Sequence, residues 1–305
     1  MTNPLVLSRT ASLRRQAERG HVAAQLVFGQ ALLDSADPVQ AARWFAIADT
    51  AGFAPAANML GRCHEKGWGV PADPRQAASC YRRAAAAGDP WGCYNLANLY
   101  LRGRGVERDR LESWRLFLQA AGQGHAKSMN LVARFLDEGW DRARDRRAAL
   151  LWYRRAAEAG DYRGQHNLAT ALAEQGALDE ALSWWGRALP AATPDVREAM
   201  EQALRGIDHN EARRLLAALC GERASRGPGE RGETGARPRG GPLRRLLTPI
   251  VDRAKSLLNP YYRGAGGREP AAANASAQEI RRLQKEIERL NRLLAGAIPD
   301  PQSRG

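Results

Sequence analysis

Large and small apolar residues recur along this chain at fixed distances from evenly spaced glycines. Gly52, Gly88, Gly124 and Gly160 are each separated by 36 residues, and Gly20 precedes Gly52 by 32. Counted forward from each glycine, the fourth position is small: Ala24, Ala56, Gly92, Ser128 and Gly164. The eighth is large and apolar (Phe28, Leu60, Leu96, Val132, Leu168), and the ninth is small again (Gly29, Gly61, Ala97, Ala133, Ala169). A bulky pair closes each unit: Trp44-Phe45, Cys80-Tyr81, Leu116-Phe117, Trp152-Tyr153 and Trp184-Trp185.

Apolar residues at offsets of four, eight and nine share one face of a helix, so the pattern predicts two helices per unit. Small residues in that stripe let a partner helix approach closely, and the bulky pair of the second helix fills the space beside them. Gly67-Trp68-Gly69-Val70 and Gly103-Arg104-Gly105-Val106 supply the turn between the helices. The first and fifth units lack four residues there. Neither helix can bury its stripe alone, so neighbouring units must stack. Arg14 to Gly20 parallels Arg154 to Gly160, which predicts a lone second helix at the start. Thr193-Pro194 reads as an N-cap followed by proline at the first helical position, opening a closing pair near 194–205 and 209–220.

The elements Leu96-Ala97-Asn98-Leu99-Tyr100, Gly103-Arg104-Gly105-Val106-x-x-Asp109 and Trp152-Tyr153-Arg154-Arg155-Ala156-Ala157-Glu158-Ala159-Gly160 resemble Sel1-like repeats, relatives of the tetratricopeptide repeat. The resemblance covers about residues 14–190. It implies an all-α fold, a right-handed α-solenoid of helical hairpins that acts as a protein-binding scaffold, with no catalytic residues and no cofactor. Some secreted members of the family join one unit to the next by a disulfide. Cys93 stands at one of those places, but Ala85 stands where its partner would be, which argues for a reducing compartment. The expected organisation is a repeat domain over 1–220, a linker over 221–242 and a helical tail over 243–305.

Charge belongs mainly to the tail. The chain's net charge is +13; residues 1–220 hold 29 basic and 24 acidic side chains, whereas 221–305 hold 17 and 9. Residues 221–242 carry seven glycines, three prolines and no large apolar residue, the composition of a flexible linker. Leu243, Leu246, Leu247, Ile250, Val251, Ala254, Leu257 and Leu258 follow helical spacing among Arg244, Arg245, Arg253 and Lys255. Three readings of that segment stay open: contact with protein, an anionic membrane surface, or nucleic acid, the last least favoured. Ser276-x-x-Glu279 forms a capping box, and Ile280, Leu283, Ile287, Leu290 and Leu294 make a heptad seam suited to homo-oligomerisation or to docking against 243–258.

Candidate chemistry is sparse. The five histidines include no pair at metal-ligand spacing, and the four cysteines include no Cys-x-x-Cys. Gly122 to Ser128 falls short of a phosphate-binding loop because no glycine directly precedes Lys127 and no strand leads into it. No apolar run is long enough to span a membrane, and Leu5-Val6-Leu7 is too short for a signal-peptide core, which points to the cytoplasm. The expectation is therefore a non-enzymatic adaptor without metal.

If the first helices line a concave groove, as in tetratricopeptide stacks, the third, sixth, tenth and thirteenth positions after each glycine, opposite the buried stripe, face a partner. The third position gives Trp91, Lys127 and Arg163; the sixth gives Asn58, Tyr94, Asn130 and His166; the tenth gives Arg62, Asn98, Arg134 and Thr170. This set suits an extended acidic peptide, with amides for its backbone, cations for its carboxylates and aromatic rings for contact area. The alternative is that the basic tail is the functional element and tethers the array to anionic membrane or nucleic acid.

Overall fold

A computed structural model describes residues 4–225, with side chains over 11–220. The heptad seam of Ile280, Leu283, Ile287, Leu290 and Leu294, the basic segment 243–258 and most of the linker lie outside the described residues. Those described form 13 α-helices and no strand, in two compact units meeting at residues 92 and 93. The first unit contains α1 (Pro4–Glu18), α2 (Val22–Asp34), α3 (Pro38–Thr50), α4 (Ala54–Lys66) and α5 (Pro74–Ala86). The helix α6 (Pro90–Arg102) follows. The second unit contains α7 (Arg110–Gly122), α8 (Ala126–Glu138), α9 (Arg146–Glu158), α10 (Tyr162–Glu174), α11 (Leu178–Ala188), α12 (Pro194–Arg205) and α13 (Asn210–Ser225). Within each, antiparallel hairpins stack on one another, which is the all-α solenoid class that the repeat implies.

Two close contacts explain the small positions. At the ninth, a Cβ on Gly61 would lie 2.6 Å from the Tyr81 ring, and one on Gly29 2.6 Å from the Phe45 ring. The second residue of these two bulky pairs, Phe45 and Tyr81, therefore reaches the backbone of its own hairpin's first helix. At the fourth, a Cβ on Gly164 would lie 2.7 Å from the Ala156 Cβ, and one on Gly92 2.5 Å from the Ala84 Cβ. There the contact is with the second helix of the preceding hairpin. Phe45, Tyr81, Phe117, Tyr153 and Trp185 are all buried as a result, and each ring contributes roughly 1.5–3 kcal/mol.

The polar ends of the helices are met by repeated devices. The anchoring glycines Gly20, Gly52, Gly88, Gly124 and Gly160 all adopt φ between 77° and 87°, the left-handed turn that ends a second helix. Asp37, Asp73, Asp109 and Asp145 cap the second helices, each accepting a backbone N–H through its carboxylate. Gly69 combines positive φ with close approach, since a Cβ there would collide with the Pro38 carbonyl. The shortened first unit makes its turn at Ala36, which takes φ 64° without a glycine. The fifth places Gly176 there at φ 80°.

At the array's ends, α1 packs on α2 as the lone second helix anticipated from Arg14 to Gly20. Gln25 Nε2 donates to the Ala17 carbonyl at 3.1 Å. Pro194 opens α12 with Thr193 at the N-cap position, but the Thr193 hydroxyl makes no capping bond to the backbone. It hydrogen-bonds Asp195 and holds that carboxyl below its usual range. The last helix, α13, continues to Ser225, beyond the position 220 expected from the sequence.

Replacing Gly61 by valine should lower stability by roughly 1–3 kcal/mol, read as an earlier midpoint in urea denaturation. Gly122→Ala, whose methyl would meet nothing within 4 Å, should leave the midpoint unchanged or raise stability by up to about 1 kcal/mol. Equal losses in both variants would refute the close contact at the ninth position.

Candidate functional site

In the second unit the starts of the first helices gather a set of titratable groups. α8 begins at His125, whose Nδ1 accepts from the Ser128 N–H at 3.3 Å and lies 2.8 Å from the Ser128 Oγ. α10 begins at Asp161, whose carboxylate accepts from the Gly164 N–H at 2.9 Å. Both caps are buried. Burial pushes the Asp161 carboxyl up, opposed by the Gly164 hydrogen bond and by the charges of Lys127 and Arg163. The Tyr94 ring sits 5.0 Å from the His125 ring and 6.0 Å from that of Phe117, and burial raises its hydroxyl's pKa. Lys127 and Arg163, in the first turns of α8 and α10, remain exposed at this rim.

The sixth position corrects the groove assignment. Asn130 and, in the first unit, Asn58 are only 4% and 3% exposed, not turned outward. At 100° per residue the sixth position lies about 60° from the ninth, so it sits beside the close contact and not opposite it. The next first helix covers it: Asn167 Nδ2 donates to Asn130 Oδ1 at 2.8 Å, bridging α10 to α8. His166 likewise turns inward and accepts from Trp185 Nε1 at 3.1 Å, and burial lowers its pKa. The sixth row is a polar seam of the fold.

The tenth row is open but spends its groups locally. Arg134 pairs with Glu138 at 2.8 Å and stacks over Trp140, 5.0 Å from the ring centroid. In the first unit Arg62 repeats the device over Trp68 at 5.1 Å. Asn98 Nδ2 donates to the Tyr94 carbonyl at 2.8 Å, and the Thr170 hydroxyl donates to the His166 carbonyl at 3.0 Å. Arg163 reaches Asp195 at 3.2 Å and Tyr162 Oη at 3.0 Å. In the first unit the third-row Trp91 is half-buried. The third row thus keeps the outward cations, and the tenth adds partly neutralised ones.

A feature not anticipated from the sequence lies at the opposite ends of α8 and α10. Tyr153 Oη donates to Asp137 Oδ2 at 3.5 Å, and in the first unit Tyr81 Oη donates to Glu65 Oε2 at 2.8 Å. Both acids stand thirteen residues after an anchoring glycine and both tyrosines twenty-nine after it, a register visible in the sequence once the pair is known. Beside Asp137 and Tyr153 a cleft of about 160 Å³ opens between α9 and α10.

Among the described residues no group of three or more His, Cys, Asp or Glu is placed to hold a metal ion. Burial pushes the Cys63 thiol up to about 12 and raises that of Cys80, which favours the protonated thiol at both. No described helix is long and apolar enough to cross a membrane.

Comparison with known proteins gives a consistent result. The family model described as Sel1 repeat matches residues 28–48, 54–89, 92–125 and 126–161. A crystal structure of a protective antigen present in uropathogenic Escherichia coli strains, displaying an SLR fold, is 24% identical at a TM-score of 0.58. The match covers 81% of this chain and 52% of that one, so the chain spans about half the length of that antigen. A Sel1 repeat protein from Oxalobacter formigenes is 23% identical at a TM-score of 0.57, over 72% of this chain and 100% of that one. These similarities bear on the fold. No curated protein matches the chain.

Burial pushes the pKa of His125 down from 6.5 to about 3, with the Lys127 charge adding to the effect. Between those values the unfolded chain binds the proton that the folded one refuses, so stability falls as the pH falls. The wild-type protein should therefore lose stability below about pH 6.5 more steeply than His125→Asn, which keeps a capping acceptor but cannot titrate. The difference should reach at most about 1.4 kcal/mol per pH unit, measured by urea denaturation across that range. Parallel profiles would show that His125 is not held neutral by the fold.

Proposed function

The chain belongs to the Sel1 repeat family through residues 28–161, and on that premise we propose that it is a non-enzymatic adaptor that binds an extended acidic segment of a partner protein across the first helices of the second unit. Sel1 repeat proteins are in general non-catalytic scaffolds for protein–protein interaction. The acidic preference is supported by one observation above all. Lys127 and Arg163 occupy the first turns of α8 and α10 and are exposed there. A cation in the first turn opposes the helix dipole and costs helix stability, typically 0.3–1 kcal/mol. Arg163 also pairs with Asp195, and both charges favour the Asp161 carboxylate; a partner's carboxylates lying against their exposed side would add to those contacts.

The half-buried Tyr94 adds contact area beside them, and the Asn98 side chain flanks it. Exposed pairs such as Arg134–Glu138 are worth little in water, so a partner carboxylate can compete with Glu138 for that guanidinium. The sixth-row residues Asn130 and His166 support the surface from beneath.

Random dodecapeptides displayed on phage and selected on the full chain should emerge enriched in Asp and Glu. The selected peptides should bind the double variant Lys127→Gln, Arg163→Gln about tenfold more weakly, about 1.4 kcal/mol, while circular dichroism shows unchanged helicity. Peptides without an acidic bias, or undiminished binding by the double variant, would refute the assignment.

A further inference from the structure

The two first helices of the second unit carry their charges in reverse order. α8 has Lys127 in its first turn and ends at Glu138; α10 has Arg163 in its first turn and ends at Glu174. Neither has an acidic residue in its first turn or a basic one in its last. Other helices of the same unit are ordered as the dipole favours: α11 opens on Asp179 and Glu180 and closes with Arg187, and α12 opens on Asp195 and closes on Arg205. Among the helices of the second unit, α8 and α10 are the two with neither an acid in the first turn nor a base in the last. The reversal leaves cations at one edge of their shared face and carboxylates at the other.

The acidic edge contains the cleft, lined among others by Asp137, Arg146, Leu150, Tyr153, Thr170 and Glu174. Its uncharged hydroxyls have already committed their hydrogens. Tyr153 Oη donates to Asp137, and Thr170 Oγ1 donates to the His166 carbonyl. The capacity left to both is oxygen lone pairs. Glu174 is exposed and has no ion-pair partner among the described residues. Asp137 meets Arg144 at 3.5 Å and Arg146 at 3.9 Å, ion pairs more than half exposed on their arginine side and therefore worth little in water. Asp137, Glu174 and the two hydroxyls supply the acceptors of the lining, Arg146 is turned to Asp137 within it, and the Leu150 side chain is an apolar wall. At about 160 Å³ the space suits a side-chain head group and not a length of backbone.

We propose that this cleft receives the guanidinium or ammonium of a basic side chain on the same partner segment whose carboxylates lie against Lys127 and Arg163. The recognised segment is then bipolar, acidic toward the helix starts and basic toward their ends. This inference rests on the reading of the rim given above, and it adds specificity: a uniformly acidic segment is repelled at the Glu174 edge, and a uniformly basic one at the Lys127 edge.

Two measurements on the full chain test it. In the first, N-acetyl-L-arginine N-methylamide is titrated into isotope-labelled protein, with the uncharged citrulline analogue as comparison. The arginine probe should shift the backbone amide signals of Thr170, Glu174 and Gln175, and Glu174→Gln should weaken its binding about threefold with no drop in melting temperature. Equal binding of the citrulline analogue, or binding unaffected by Glu174→Gln, overturns the cleft assignment. In the second, the peptides selected by phage display should carry Arg or Lys at a fixed spacing from Asp or Glu, and Glu174→Gln should abolish that preference. Acidic peptides without the paired basic residue overturn the bipolar reading and leave the acidic rim standing. Loss of the acidic bias with the arginine response intact overturns the rim and leaves the cleft.

Discussion

The contact of a bulky ring with the backbone of its own hairpin's first helix is the constraint on which everything else depends. Gly61 under Tyr81 and Gly29 under Phe45 leave no room for even a methyl group. That closeness fixes the rotation of the first helix about its axis, because only one face can present a small residue to the ring. The fourth position then meets the preceding second helix, as Gly164 meets Ala156. Once both contacts are made, the helix has no rotational freedom left. Which residues face solvent is a consequence of packing and not of their polarity.

The functional surface follows from that fixed rotation. The sixth position after the glycine on α8 is turned toward the seventh on α10, and Asn130 and Asn167 hydrogen-bond there, since an amide buried beside an apolar stack needs a partner. What remains outward on α8 and α10 is the third position at one end and the fourteenth at the other. At those places α8 and α10 carry charges that work against their own dipoles. A helix under selection for stability alone reverses that order, as α11 and α12 do. A site that departs from the local rules its neighbours obey is where function is most naturally sought.

Buried polar groups keep this surface rigid. His125 and Asp161 cap their helices out of contact with water. Tyr94 rests on His125 and Phe117, so the ring beside the cations is positioned by the core. Arg62 over Trp68 and Arg134 over Trp140 repeat one stacking device in the two units, each tying a first helix to the turn that follows it. Such stacks restrain long side chains that would otherwise lose entropy on binding.

Periodicity alone determined the hairpin, its small and bulky positions and the lone helix at the start. Those features are local: a helix buries whatever its 3.6-residue period places on one stripe, and Gly20 to Gly160 mark the turns because a left-handed backbone favours glycine. The outward third row with Lys127 and Arg163 was legible for the same reason. The burial of Asn58, Asn130 and His166 was not, because a residue 60° from the packed stripe is exposed or covered according to how near the next first helix comes. Nor was the pairing of Tyr153 with Asp137, or the cleft beside it, since those groups stand sixteen residues apart on different helices. Only the tertiary structure decides contacts of that kind, because they depend on the distance between helices and not on the period within one.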